Sequence, residues 1–213
     1  IVLGERYEII SRVGSGGMAD VYKARDHKLS RLVAVKVMKA EFREDTSFVT
    51  KSQKEAQAAA RLSHPNVVNV FDVGEDRGLY YIVMELVEGI TLKKYIEKKA
   101  MLTYKEAVSI AIQVCLGIEA AHNNHIIHRD IKPSNILGRT GSGSGRTGTT
   151  GVSPVAFPVL ADLGLVKEFP TTNPPTPQPP NHPTTLGGVG TPGYGAPEQM
   201  ERGEATVASD IHA

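Results

Sequence analysis

The residues best placed by type and spacing to do chemistry in the first part of the chain are three glycines, a lysine and a glutamate. Gly14, Gly16 and Gly17 stand in the run GSGGMADV between two stretches of strand-forming residues. A glycine-rich turn there lets backbone N–H groups approach phosphate oxygens with no Cβ in the way. The third glycine of a GxGxxG pattern is replaced by Ala19, and a strand follows instead of a helix, so a Rossmann dinucleotide site is disfavoured. Downstream, VAVKVM alternates so that Ala34 and Lys36 share one face while Val33, Val35 and Val37 share the other. A small residue beside a lysine suits a flat ligand over Ala34 with its phosphates near Lys36. Taken singly, a glycine turn needs no ligand, and an edge lysine can snorkel to water. Glu55 shifts that balance, because it falls on the apolar face of a helical pattern, where a carboxylate needs a cationic partner.

Positioning these groups takes a strand meander and a helix. Tyr7 to Val13, Val21 to Arg25 and Leu32 to Met38 are short β-rich runs broken by Gly or charged turns, the pattern of an antiparallel meander. Ser47 to Leu62 has helical spacing, with Phe48, Glu55, Ala59 and Leu62 on one face. Val67 to Val73 and Leu79 to Val87 read as strands again. Thr103 and Glu106 form a TxxE capping box ahead of AVSIAIQVCLGIEAAH, which is apolar nearly all round. That helix is expected to be central and buried, with Cys115 as a small core residue. Two later stretches are biased in composition. GRTGSGSGRTGTTG, Gly138 to Gly151, is a degenerate repeat without apolar side chains and reads as a flexible insertion. Phe169 to Pro197 has no Asp, Glu, Lys or Arg and is rich in Pro and Thr, which favours extended segments over helix or ladder-bonded strand.

Composition narrows the function classes. Lys and Arg number 24 against 23 Asp and Glu, a formal net charge of +1, so no field of one sign marks a nucleic-acid binder or an acidic tail. A single cysteine excludes a disulfide framework and a cysteine-based zinc cage. No apolar run is long enough to span a membrane. His122, His125 and His128 cluster in sequence but are assigned no metal, and His64 in SHPNVV reads as a turn residue.

The string HRDIKPSN, His128 to Asn135, follows directly on the long helical pattern. It satisfies HRDxKxxN, a coincidence with odds on the order of 10⁻⁴ in a chain this long. The other strings then fall into one order: the Gly-rich loop, VAVK, a helix Glu, HRDIKPSN, DLG at Asp162 to Gly164, and APE at Ala196 to Glu198. In this order the sequence resembles the protein kinase family, and GGMADVYKARD, LSHPNVV and IIHRDIKPSNIL look most like the bacterial Ser/Thr kinases of receptor type. The resemblance implies an α+β, two-lobed protein-kinase-like fold. Residues 1–86 would form an antiparallel β-sheet N-lobe with one helix. Residues 87–213 would form a mostly helical, incomplete C-lobe, with the flexible insertion 138–151 and a Pro/Thr-rich activation segment 162–198.

The resemblance also implies transfer of the γ-phosphate of Mg-ATP to Ser/Thr hydroxyls of protein substrates. Phosphoryl transfer needs in-line placement of the hydroxyl and compensation of phosphate charge. By resemblance, Asp130 accepts or orients the hydroxyl proton and Lys132 neutralises the γ-phosphate. Asn135 and Asp162 offer hard oxygen ligands to Mg²⁺, and Lys36, held by Glu55, binds the α- and β-phosphates. Gly14, Ser15, Gly16, Gly17 and Met18 form the loop over the phosphates. Val13, Val21, Ala34 and Leu137 sandwich the adenine, Met84 lines the back of its pocket, and the backbone of Glu85 to Val87 hydrogen-bonds its edge. Lys132, together with Thr191 before PGYGAPE, looks like Ser/Thr rather than tyrosine kinases, with Thr191 in the substrate-docking segment. Arg129 is expected to pair with a phosphorylated activation segment, for which Thr184 and Thr185 are the candidates, through autophosphorylation between two copies. Asp210 resembles the aspartate that supports the catalytic-loop backbone.

Leu163 in DLG replaces the familiar Phe and leaves Asp162 and its glycine in place. The chain closes at Ala213, which is why the C-lobe is expected to be incomplete. This keeps open a catalytically inactive fragment or pseudokinase, acting as a nucleotide-binding or protein-interaction module whose prolines engage SH3- or WW-like partners. A small-molecule phosphotransferase is a further alternative, against which GTPGYGAPE resembles a peptide-docking end. The location implied is the cytoplasm, as the cytoplasmic domain of a membrane-anchored receptor, with no nucleic-acid partner.

Overall fold

The alternating β-branched runs of the first half build a six-stranded sheet in the order β1-β2-β3-β4-β6-β5, every neighbour antiparallel. Its strands are β1 (Val2–Leu3), β2 (Tyr7–Ser15), β3 (Ala19–Asp26), β4 (Arg31–Met38), β5 (Val70–Asp76) and β6 (Leu79–Glu85). The structure is a computed structural model, and it describes residues 1–43, 46–139, 157–161, 194, 196 and 207–212.

The expected alternation in β4 divides two apolar clusters. Val33 and Val35 are fully buried with Leu3, Tyr7, Ala24, Tyr81 and Val83. On the other face Met38 packs with Phe48, Val49, Ala56 and Ala59 of helix α1 (Thr46–Ala59). The first cluster is enclosed because the sheet curls. The Tyr7 hydroxyl donates to Asp72 Oδ2 at 2.6 Å, and the Gly4 N–H donates to Asp76 Oδ2 at 3.1 Å, which draws β1 and β2 onto the opposite edge strand β5. Beneath this seam Arg6 clasps the buried Asp26 through two 2.8 Å bonds. The hydrogen bonds from that guanidinium hold the Asp26 carboxyl at about 2, below its ordinary value.

Two element boundaries differ from expectation for local reasons. Helix α1 stops at Ala59, short of Leu62, and the next residues tighten into i→i+3 bonds, Arg61 N to Ala58 O and Leu62 N to Ala59 O. Pro65 follows, and a proline disfavours helical backbone at the residue before it. Strand β5 starts at Val70, because the preceding residues are diverted. Val68 N donates to Leu160 O, Leu160 N donates to Asn66 O, and Asn66 Nδ2 donates to Pro158 O.

The second half supplies helices and a small sheet. Helix α2 (Leu92–Lys99), absent from the sequence expectations, is capped by Thr91, whose hydroxyl accepts from Lys94 N at 3.2 Å. Helix α3 (Tyr104–Asn123) begins with the expected reciprocal box between Thr103 and Glu106. Lys99 also donates to Glu106 and, with Thr103, keeps its carboxyl down at about 2. The expectation of a wholly buried α3 fails. Ile110, Val114 and Ile118 are buried, but Tyr104, Ile112 and Leu116 are exposed, and so is Cys115, which is no core residue. A sequence apolar all round does not say how many of its sides find neighbours. On the covered side Gly117 permits a close approach, since a Cβ there would lie 2.8 Å from Asn66 O.

Strands β7 (Gly89–Thr91), β8 (Ile136–Arg139) and β9 (Phe157–Leu160) form an antiparallel sheet in that order. Gly138 and Arg139 therefore belong to a paired strand and not to a flexible insertion, whose remaining residues 140–151 lie outside the described residues. The same holds for Phe169 to Pro197, apart from Tyr194 and Ala196. Helix α4 (Val207–His212) carries Asp210. Among the described residues no helix is long and apolar enough to cross a membrane.

Candidate active site

The glycine-rich turn joins β2 to β3 and is closed by Gly16 N donating to Ala19 O at 2.9 Å. Gly14, Gly16 and Gly17 all avoid the positive-φ region that favours glycine. A Cβ on Gly17 would meet nothing within 4 Å, and one on Gly14 or Gly16 would make only ordinary contacts. Glycine at these positions leaves the backbone of the turn open to close approach from outside the chain. Ser15 ends β2, and Met18 accepts from Lys39 N through its carbonyl at 3.0 Å.

Register places the remaining N-terminal candidates on neighbouring strands. Val21 lies opposite both Gly14 and Lys36, and Ala34 lies opposite Met84. Val13 is 54% exposed, whereas Ala34 is buried. Glu85 ends β6, Val87 follows in the linker to β7, and Leu137 lies in β8, opposite Thr91 and Val159. Val21, Ala34 and Met84 on adjoining strands, with Lys36 two residues beyond Ala34 in β4, are a set of side chains that suits a flat base followed by charged groups.

The predicted hold of Glu55 on Lys36 is not what the described contacts show. The Glu55 carboxylate accepts from Arg129 Nη1 at 3.2 Å, and Lys36 is not among its ion-pair partners. Burial raises the Glu55 carboxyl above its ordinary value, opposed by Arg129 and Lys51. The Glu55 carboxylate does meet a cation, as its place on an apolar helix face requires, but the cation is Arg129, 74 residues away in the chain.

The loop between α3 and β8 is the most heavily bonded part of the site. The Asp130 carboxylate accepts from Lys132 Nζ at 2.9 Å and from Asn135 Nδ2 at 2.7 Å, and Asp130 is 4% exposed. Asn135 Nδ2 also donates to Asp130 O at 2.9 Å. Both partners of that nitrogen are pure acceptors, so the amide orientation is forced. Its Oδ1 accepts no hydrogen bond among the described residues and is a hard oxygen of the kind a magnesium ion takes. Asp162, its expected companion, lies outside the described residues, as do Thr184, Thr185 and Thr191. The residue before it, Ala161, donates through N to Asn135 O at 2.8 Å, so the backbone leading to Asp162 runs against Asn135.

His128 and Asp210 fix this loop from behind. His128 Nδ1 accepts from Asp130 N at 3.2 Å, leaving Nε2–H to donate to Ala161 O at 2.9 Å. One neutral tautomer thereby ties Asp130 to Ala161, just past the end of β9. Asp210, 3% exposed, accepts from His128 N at 2.7 Å and Arg129 N at 2.8 Å, as the sequence suggested. Those bonds hold Arg129 at φ 68, a left-handed value costly for a residue with a Cβ. His122 also binds Asp210, at 2.9 Å, a role its place in a histidine cluster did not reveal.

Comparison with known proteins agrees with this geometry. The protein kinase domain family model matches residues 7–213. The serine/threonine-protein kinase PrkC of Bacillus subtilis is 39% identical over 208 residues, covering 98% of this chain and 29% of that protein. The probable serine/threonine-protein kinase PknB of Lactococcus lactis is 40% identical over 213 residues, 100% of this chain and 30% of its own. The chain thus spans less than a third of the length of these curated relatives. In fold, the M. tuberculosis PknI kinase domain crystal structure aligns with a TM-score of 0.70 at 23% identity, over 99% of this chain and 69% of that one. Rad53 residues 1–466, solved in complex with AMP-PNP, aligns with a TM-score of 0.61 at 29% identity, over 75% of this chain and 38% of that one.

Proposed function

The chain belongs to the protein kinase domain family, and from that membership we propose that it transfers the γ-phosphate of ATP to serine and threonine hydroxyls of proteins. The observation that carries this is the Asp130 carboxylate, buried and oriented by Lys132 and Asn135 on a loop anchored at its back. A carboxylate so placed can take the proton of an incoming hydroxyl as its oxygen attacks phosphorus. Lys132, already beside it, offers positive charge to the transferred phosphoryl group. Lys36 and the Gly-rich turn bind the phosphates, and Val13, Val21, Ala34, Met84 and Leu137 take the base, a reading that the AMP-PNP complex of Rad53 supports. Asn135, with Asp162, would hold Mg²⁺, which compensates phosphate charge when bound.

In this reading residues 1–86 and 87–213 act as the two lobes, and the chain works in the cytoplasm on protein substrates and on second copies of itself. A phosphate on Thr184 or Thr185 would compete with Glu55 for Arg129 and release the carboxylate for Lys36. Mass spectrometry of an active preparation is expected to find modification between Phe169 and Gly190. Its absence would remove that regulatory step. The proposal as a whole is tested by incubating the chain with Mg-ATP labelled in the γ-phosphate and a generic protein acceptor. Label recovered on Ser or Thr, and lost in Asp130→Asn, is the expected result; equal labelling by both proteins would sink it.

A further inference from the structure

We infer that Arg139 is a positioning residue that fixes the interlobe linker for the purine base, an inference that rests on the ATP-binding reading above. Arg139 is the last residue of β8, and its backbone lies opposite Gly89, where the linker from β6 enters β7. Its guanidinium reaches back to the other end of the same linker, with Nη2 donating to Glu85 Oε1 at 2.6 Å. One residue thus brackets Leu86 to Glu88 from both sides. The second oxygen of Glu85 is also engaged, accepting from Asn69 Nδ2 at 2.8 Å, while Glu85 N donates to Asn69 O at 2.9 Å.

Glu85 therefore has both carboxylate oxygens and its amide tied down, which fixes the start of the linker. The pair is partly shielded, with side-chain exposures of 41% for Arg139 and 18% for Glu85. A linker held at both ends presents its donors and acceptors in one arrangement, so less ordering is needed when a base docks. Adenine and guanine carry different donor and acceptor patterns on their edges, so a fixed linker also discriminates between them. Among the described residues Arg139 makes no hydrogen bond or ion pair to those assigned to the phosphates or to proton transfer; it acts through Glu85. It lies in the GRTG repeat, whose composition alone suggested only a loop.

The test measures dissociation constants of ADP and GDP for the wild-type chain, Arg139→Ala and Arg139→Lys, with melting temperatures alongside. Arg139→Ala is expected to weaken ADP by roughly two- to fivefold, the upper part of the range for one partly exposed ion pair, and GDP by less, so that the preference for ADP narrows. Arg139→Lys is expected to recover most of the loss, because a single N–H carries the contact. A purely structural role would lower the melting temperature or the binding-competent fraction and reduce both nucleotides alike. Equal loss for the two nucleotides, unchanged affinity in Arg139→Ala, or no rescue by lysine overturns the positioning role. A wild-type chain that binds no ADP overturns the nucleotide-binding reading itself, and this inference with it. Should Arg139→Ala fail to fold, Arg139→Met, which keeps the stem but has no N–H, carries the same prediction.

Discussion

Replacing Asp210 with alanine removes the acceptor for two buried backbone N–H groups, those of His128 at 2.7 Å and Arg129 at 2.8 Å, and the partner of His122 at 2.9 Å. Each N–H left without a partner costs about 1–3 kcal/mol, and water entering the vacated space recovers some of that, so the net loss is about 2–5 kcal/mol. In a chain of this size 1 kcal/mol lowers the melting temperature by about 2–4 °C, which makes a fall of roughly 6–15 °C the expected result. The consequence for chemistry is separate. Arg129 is held at φ 68 by these bonds, and once they are gone its backbone relaxes and carries Asp130 away from Lys132 and Asn135. Asp210→Asn keeps one acceptor but points an N–H₂ at a donor, so it falls between wild type and alanine. Thermal melting and phosphate transfer, measured on all three proteins, decide the matter. An alanine variant that melts within about 1 °C of wild type and transfers phosphate normally would refute the reasoning, since it would mean neither N–H depends on that carboxylate.

Other expectations are narrower. Gly117→Ala places a Cβ 2.8 Å from Asn66 O, a backbone atom that cannot swing aside; overpacking there costs about 1–3 kcal/mol, read from denaturant melts. Gly17→Ala meets no atom within 4 Å, so its stability should hold within about 0.5 kcal/mol while affinity for Mg-ATP falls, which equilibrium binding would show. Asp26 titrates at about 2 in the folded chain against an ordinary 3.8, so its contribution is complete above pH 3.8 and is lost as the pH drops towards 2. Asp26→Asn should therefore be less stable at neutral pH and show a shallower fall in melting temperature across that window.

Much of the site was legible in the sequence because its determinants are local. Alternation placed Ala34 and Lys36 on one face of β4, with Val33 and Val35 buried on the other. The box between Thr103 and Glu106 spans one helical turn, and Asp130, Lys132 and Asn135 meet within a single loop. What was not legible is contact between distant segments. Nothing in the pattern around Glu55 could choose Arg129 over Lys36, since helical periodicity shows that a carboxylate faces inward but not which element faces it. Arg139 was hidden because glycine and threonine neighbours read as a loop until β7 and β9 supplied ladder partners on both sides. The exposed side of α3 failed for the converse reason, since its apolar residues announce burial that the described neighbours provide on one face only.

The most direct test of the central claim is the turnover of γ-phosphate transfer from Mg-ATP by wild type and by Asp130→Asn, measured together with the dissociation constant for ADP. Asp130 is bonded to Lys132 and Asn135, and none of these three is among the residues assigned to the base. Turnover is expected to fall by about 10²- to 10⁴-fold, the usual contribution of a positioned proton acceptor, with ADP affinity unchanged. An asparagine variant that transfers phosphate at the wild-type rate, or that loses ADP binding in step with turnover, would contradict that claim.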